Sequence, residues 1–76
     1  MTPLESAILQ FIYKEYQNGN GMAYVIFSNF SDNLLDMNIA LENLMTDGYI
    51  EVPRPAIGSA YVKLTEYGIS FCEEFF

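Results

Sequence analysis

Residues 32–61 read DNLLDMNIALENLMTDGYIEVPRPAIGSAY, and the fold follows from how this stretch divides. Stepping 100° per residue puts Leu34, Met37, Leu41, Leu44 and Met45 on one arc of a helix from about Asn33 to Asp47. The opposite arc holds Leu35, Asp36, Ile39, Glu42, Asn43 and Thr46. Ser31, Asp32 and Asn33 supply a turn and a cap before it. Gly48 stands where a left-handed residue ends a helix. Tyr49–Val52 and Ala60–Leu64 then alternate as half-buried strands. Pro53 and Pro55 cannot donate to a ladder, so the span Pro53–Ser59 reads as the loop between those strands.

Working outward, Thr2-Pro3-Leu4-Glu5 is a helix start, with Thr2 as cap, Pro3 at the first position and Glu5 completing a capping box. Leu4, Ala7, Ile8, Phe11 and Ile12 fall on one face, and Leu9, Tyr13 and Tyr16 on the flank or back. The pattern fades at Asn18-Gly19-Asn20-Gly21, which places the helix over Pro3–Gln17. At the other end Thr65 caps a helix from Glu66 to about Phe75. That helix is apolar on two sides: Tyr67, Phe71 and Phe75 form one stripe, and Ile69, Cys72 and Phe76 another.

Composition narrows the function classes. A chain of 76 residues reads as one domain. At that size folding buries only about 60–65% of the unfolded surface, so the core is marginal unless helped. With one cysteine and no histidine, neither an internal disulfide nor a zinc site can help, and no cofactor is expected. Association with a second chain can, and a chain that is 51% hydrophobic, with six Phe and six Tyr, suits it. Ten acids against Lys14, Arg54 and Lys63 give a net charge of −7. Nucleic-acid binders draw most of their affinity from neutralising phosphates, so this balance disfavours DNA, and it disfavours anionic membranes too. The lone thiol and the lack of an export signal point to the cytoplasm. No histidine, phosphate loop or convergent carboxylate pair supports catalysis. Cys72 has Phe71, Glu73 and Glu74 beside it and no cation, so it reads as a structural cysteine.

Two segments, Ala40-Leu41-Glu42-Asn43-Leu44-Met45-Thr46-Asp47-Gly48-Tyr49-Ile50 and Leu64-Thr65-Glu66-Tyr67-Gly68, resemble winged helix-turn-helix regulators of the MarR and PadR kind. They also resemble small winged-helix proteins of Gram-positive bacteria and their phages. The resemblance implies an α+β winged helix in the order helix, short strand, helix, helix, strand, wing, strand, helix. In that order Met22–Ala23 would be strand and Tyr24–Phe30 a short helix, with a strand over Ala23–Ile26 as the competing reading, because MAYVIF is apolar throughout. The resemblance also implies a dimeric transcription regulator that puts the Asn33–Asp47 helix in the major groove, with Asn33, Asn43 and Arg54 as the DNA-contact candidates.

The residues themselves point elsewhere. The outward face of the Asn33–Asp47 helix has no Arg or Lys. Leu35 and Ile39 as apolar anchors, with Asp36 and Glu42 as a charged rim, make a candidate surface for docking a protein. The bland alternative is that Leu35 and Ile39 pack on the expected Tyr24–Phe30 helix and the acids are merely solvated. The back of the first helix (Leu9, Tyr13, Tyr16), together with Phe71 and Phe75, is the candidate homodimer surface. The expected function is a small acidic regulatory module acting through protein–protein contact, with DNA binding as the alternative.

Overall fold

The computed structural model describes residues 1–76. Its elements are α1 (Pro3–Gln17), β1 (Ala23–Ile26), a 3₁₀ turn (Phe27–Asn29), α2 (Leu34–Thr46), β2 (Ile50–Ala56), β3 (Ser59–Leu64) and α3 (Glu66–Phe75). The strands form one antiparallel sheet in the order β1-β3-β2. No helix is long and apolar enough to cross a membrane.

The helix ends obey local chemistry. Thr2 Oγ1 accepts from the Glu5 amide at 3.1 Å, and the Glu5 carboxylate accepts from the Thr2 amide at 3.5 Å, closing the capping box. The ends of α1 and α2 share one geometry. Gly19 and Gly48 take φ of +91° and +84°. Their amides bond back to Tyr16 and Met45, and the next amides, of Asn20 and Tyr49, bond to Glu15 and Leu44.

The winged-helix order expected from the sequence is not what forms. The class is α+β, but there are three α-helices rather than four. Tyr24–Phe30, expected to be helical, is not: the competing strand reading, Ala23–Ile26, is what forms as β1, followed by one 3₁₀ turn. Ala23 and Val25 are buried and Tyr24 and Ile26 exposed, so the period is two. The exposed members are themselves apolar, which erases the alternation from the sequence. β3 supplies the missing information: Ala23 pairs with Val62, Tyr24 with Tyr61, Val25 with Ala60 and Ile26 with Ser59.

The hairpin is also tighter than expected. β2 continues through both prolines to Ala56, and β3 begins at Ser59, leaving only Ile57 and Gly58 to turn. Gly58 has φ +79°. The prolines are tolerated because β2 is an edge strand and its register shifts between Glu51 and Arg54.

The core joins Ile8, Leu9 and Ile12 of α1 to Met37, Ala40, Leu41 and Leu44 of α2 and to Val25, Ile50, Ala60, Val62 and Leu64 of the sheet. Cys72 of α3 is fully buried against them. α3 is held in place by a joint with the start of β2. The Thr65 amide donates to the Tyr49 carbonyl at 3.1 Å, and Thr65 Oγ1 donates to the Gly48 carbonyl. The same hydroxyl oxygen caps α3 by accepting from the Gly68 amide at 2.9 Å. Gly68 lies so close to Tyr49 that a Cβ there would overlap its carbonyl oxygen.

Gly68→Ala must therefore push α3 away from the Tyr49 backbone. Its expected cost is about 3 kcal/mol, the upper range for forced overpacking. Thr65→Ala, which removes the cap and the bond to Gly48, should cost about 1–2 kcal/mol. Urea unfolding of both variants checks the order.

Candidate functional site

The outward side of α2 is the candidate. Asn33 caps the helix, its Oδ1 accepting from the Asp36 amide at 3.1 Å. Asp36 in the first turn faces the positive end of the helix dipole. Met37, Ala40, Leu41 and Leu44 do the inward packing. Leu35 and Ile39, one turn apart, are left 65% and 49% exposed. Asp36, Asn38 and Glu42 are exposed beside them. The Tyr24–Phe30 helix on which they would otherwise pack does not form, and Ile39 is half covered where it borders α1. Leu34 and Met45, expected inward, lie at the edges of the buried arc and are partly open.

A groove runs along each flank of this ridge. On one side Asp36, Ile39, Ala40 and Asn43 face Thr2, Leu4 and Glu5 of α1 across a groove of about 280 Å³. On the other, Leu41, Glu42 and Met45 face Val52, Pro55 and Ala56 of β2 across a mostly apolar groove of about 400 Å³. Each groove has one α2 carboxylate on its wall, Asp36 or Glu42. Sequence reasoning found the ridge and missed the grooves, because their far walls come from α1 and β2.

The DNA-contact candidates are not gathered for contact. Asn33 is engaged as the α2 cap. Asn43 Nδ2 donates at 3.2 Å to Glu5 Oε2, a carboxylate only 6% exposed, and so ties α2 to α1. Nothing in the sequence signalled that pairing, which spans 38 positions. Arg54 pairs with Tyr61 on the outer face of the sheet, where it shares a shallow pocket with Tyr24 and Ser59. The helices cover the other face.

The dimer candidates divide. Leu9 is fully buried and is withdrawn from any outer surface. The buried arc of α1 is wide (Glu5, Ile8, Leu9, Ile12), since α2, α3 and the sheet all pack against it. Tyr13 is half-buried and stacks on the exposed Tyr16, with ring centroids 6.3 Å apart. Phe71 is half-buried within an aromatic cluster, 4.7 Å from both Tyr49 and Phe75, and Phe75 is exposed.

Two groups are electrostatically perturbed. Burial, with Tyr67 and Asp47 adding to it, pushes the Tyr49 phenol up. Burial first, and Glu73 second, push the Cys72 thiol up to about 11. A thiol held protonated in the core is not a nucleophile at neutral pH. No three histidine, cysteine, aspartate or glutamate residues are placed to hold a metal ion.

The chain matches no protein-family model, no curated protein and no solved structure.

Two predictions follow from this geometry. Leu35→Ala and Ile39→Ala should each change stability by less than about 0.5 kcal/mol, as surface substitutions do. Leu41→Ala on the inner side should cost about 2–5 kcal/mol. Parallel thermal melts distinguish the two sets. The second concerns pH. Between about 9 and about 11 an unfolded Cys72 loses its proton while the folded one keeps it, so the folded state holds more protons. Stability should be full below that window and fall by about 3 kcal/mol as pH rises through it. Urea midpoints at several alkaline pH values should show a flatter decline for Cys72→Ala.

Proposed function

We propose that this protein is a small acidic regulatory module that docks a cationic amphipathic segment of another protein along α2. One observation carries this reading. Leu35 and Ile39 stand exposed on α2, no cation lies on that helix, and the inward packing is done by other residues. Apolar anchors inside a charged rim are the composition of a docking patch, in which desolvated side chains give affinity and the rim gives orientation. The apolar groove between α2 and β2 would take further apolar side chains of the same segment. Charge sets the chemistry of the partner: Asp36 and Glu42 attract Lys and Arg and repel acidic peptides and phosphates.

DNA binding is the weaker reading. Two of its three candidate side chains already have partners within the protein, and Arg54 lies on the far side of the sheet. A catalytic role has no geometry to support it, and the reading involves no cofactor.

The test is a titration of a labelled Leu/Lys amphipathic helical peptide, a Leu/Glu peptide of the same pattern and a duplex DNA. The Leu/Lys peptide should bind and the other two should not. Leu35→Ala combined with Ile39→Ala should weaken binding by at least about tenfold, the equivalent of 1.4 kcal/mol. Equal binding by that double variant would reduce the effect to bulk charge and overturn the reading. So would retention of the duplex.

A further inference from the structure

The two edges of the sheet are built differently. β2 carries Pro53, Pro55, a register shift and a charge at either end of the shift, Glu51 and Arg54. These are devices that keep an edge from pairing with another strand. β1 has none of them. It is four residues of regular strand, Ala-Tyr-Val-Ile, at the other end of the sheet. No residue from Tyr16 to Ser31 is charged.

The hydrogen-bond phase fixes which groups face the open side. The Phe27 amide donates to the Gly58 carbonyl at 3.0 Å, one step beyond the pair of Ile26 with Ser59. Antiparallel pairs alternate between bonded and non-bonded. Val25–Ala60 and Ala23–Val62 are therefore bonded pairs, and Tyr24 and Ile26 turn their N–H and C=O groups away from β3. No strand lies on that side. Their side chains are also exposed, on the outer face of the sheet.

We propose that β1 pairs antiparallel with β1 of a second copy of this chain, across a two-fold axis at Val25, to form one continuous sheet. In this register Tyr24 N–H donates to the C=O of the partner's Ile26, and Ile26 N–H donates to the C=O of the partner's Tyr24. The symmetry repeats both bonds, so every outward backbone group of the two residues is used. Tyr24 then lies beside the partner's Ile26 on the outer face, an aromatic–β-branched pair of the kind that stabilises sheets. Charge selects this edge over other surfaces. Two copies of a chain of net charge −7 repel, and a two-fold contact through α2 or α3 would bring acids against acids. α3 carries Glu66, Glu73 and Glu74 and no cation. The β1 edge brings no charge to the axis.

The test is solution mass together with amide exchange on the full chain. At about 200 μM, suited to the weak association that a small interface gives, the expected mass is twice 8.7 kDa. The amides of Tyr24 and Ile26 should exchange at least about tenfold more slowly there than in dilute samples. Ile26→Lys and Tyr24→Lys, both at exposed positions, should give monomers with an unchanged circular dichroism spectrum and unprotected amides. Phe75→Lys on α3 should remain dimeric. A monomer at every concentration overturns the proposal, as does a dimer whose Tyr24 and Ile26 amides exchange freely. A dimer that survives both β1 variants, or that is lost in Phe75→Lys, also overturns it and moves the interface to another face.

Discussion

The carbonyl of Tyr49 is the point on which the two halves of the chain close. It accepts the Thr65 amide, and its oxygen occupies the space that a side chain at Gly68 would need. On one side of it α2 ends at Gly48 and the sheet begins. On the other β3 ends and α3 begins, with Thr65 bonding to both Gly48 and Gly68. The Tyr49 ring extends the contact, stacking on Tyr67 at 5.3 Å and meeting Phe71. α3 can bring Cys72 into the core only because this crossing is so close. A chain with no disulfide, and with a core limited by its length, depends on such short-range locks more than a larger domain does.

That joint also explains which parts of the fold leave a mark on the sequence. The two segments that carry the resemblance to winged-helix regulators, one ending Gly48-Tyr49-Ile50 and the other running Leu64 to Gly68, are the two sides of it. Their glycines and the threonine are there for backbone geometry, and backbone geometry leaves a mark on sequence. α1 was legible for the same reason, since its capping box and glycine stop are local. β1 was legible only as one of two readings, because a four-residue strand with apolar residues on both faces has no period to separate it from a helix, and β3 decides between them. Leu9 misled in a related way. One helix can bury a wide arc when elements pack on several of its sides, and a helical wheel shows only the wheel. The exposed apolar ridge of α2 was legible because exposure on a helix follows from its period alone. Its grooves, and the engagement of Asn43 by Glu5, are tertiary facts.

Charge has a part in the architecture beyond solubility. Acids stand on α2 and α3, while Lys63 and Arg54 stand on the outer face of the sheet, beside Glu51 and Tyr61 in register. The distribution leaves the stretch around β1 as the neutral part of an acidic molecule. In a core this small, apolar side chains left outside would have stabilised the fold had they been inside. Leu35, Ile39, Tyr24 and Ile26 are left outside on two separate elements. The first pair stands among acids, and the second lies on a segment that carries no charge of its own, with Arg54 near Tyr24 across the sheet. The same apolar chemistry is thus set in two electrostatic frames, one that on the proposed reading would select a cationic partner and one that would tolerate a copy of the chain.

The two surfaces are also compatible in space. α2 packs against β2 and, at its start, against the 3₁₀ turn that follows β1, and its exposed ridge is turned away from the core. A two-fold through β1 would leave that outward side of each α2 free. An assembly of that kind presents two equivalent acidic ridges on one rigid sheet. Linked sites convert a second binding event into an intramolecular one, so even a modest affinity at each ridge would be raised toward a partner carrying two cationic segments. Pairing at the edge, on this view, would contribute to function by multiplying the α2 surface rather than by building a new one. The neutrality of β1 and the acidity of α2 would then serve a single arrangement.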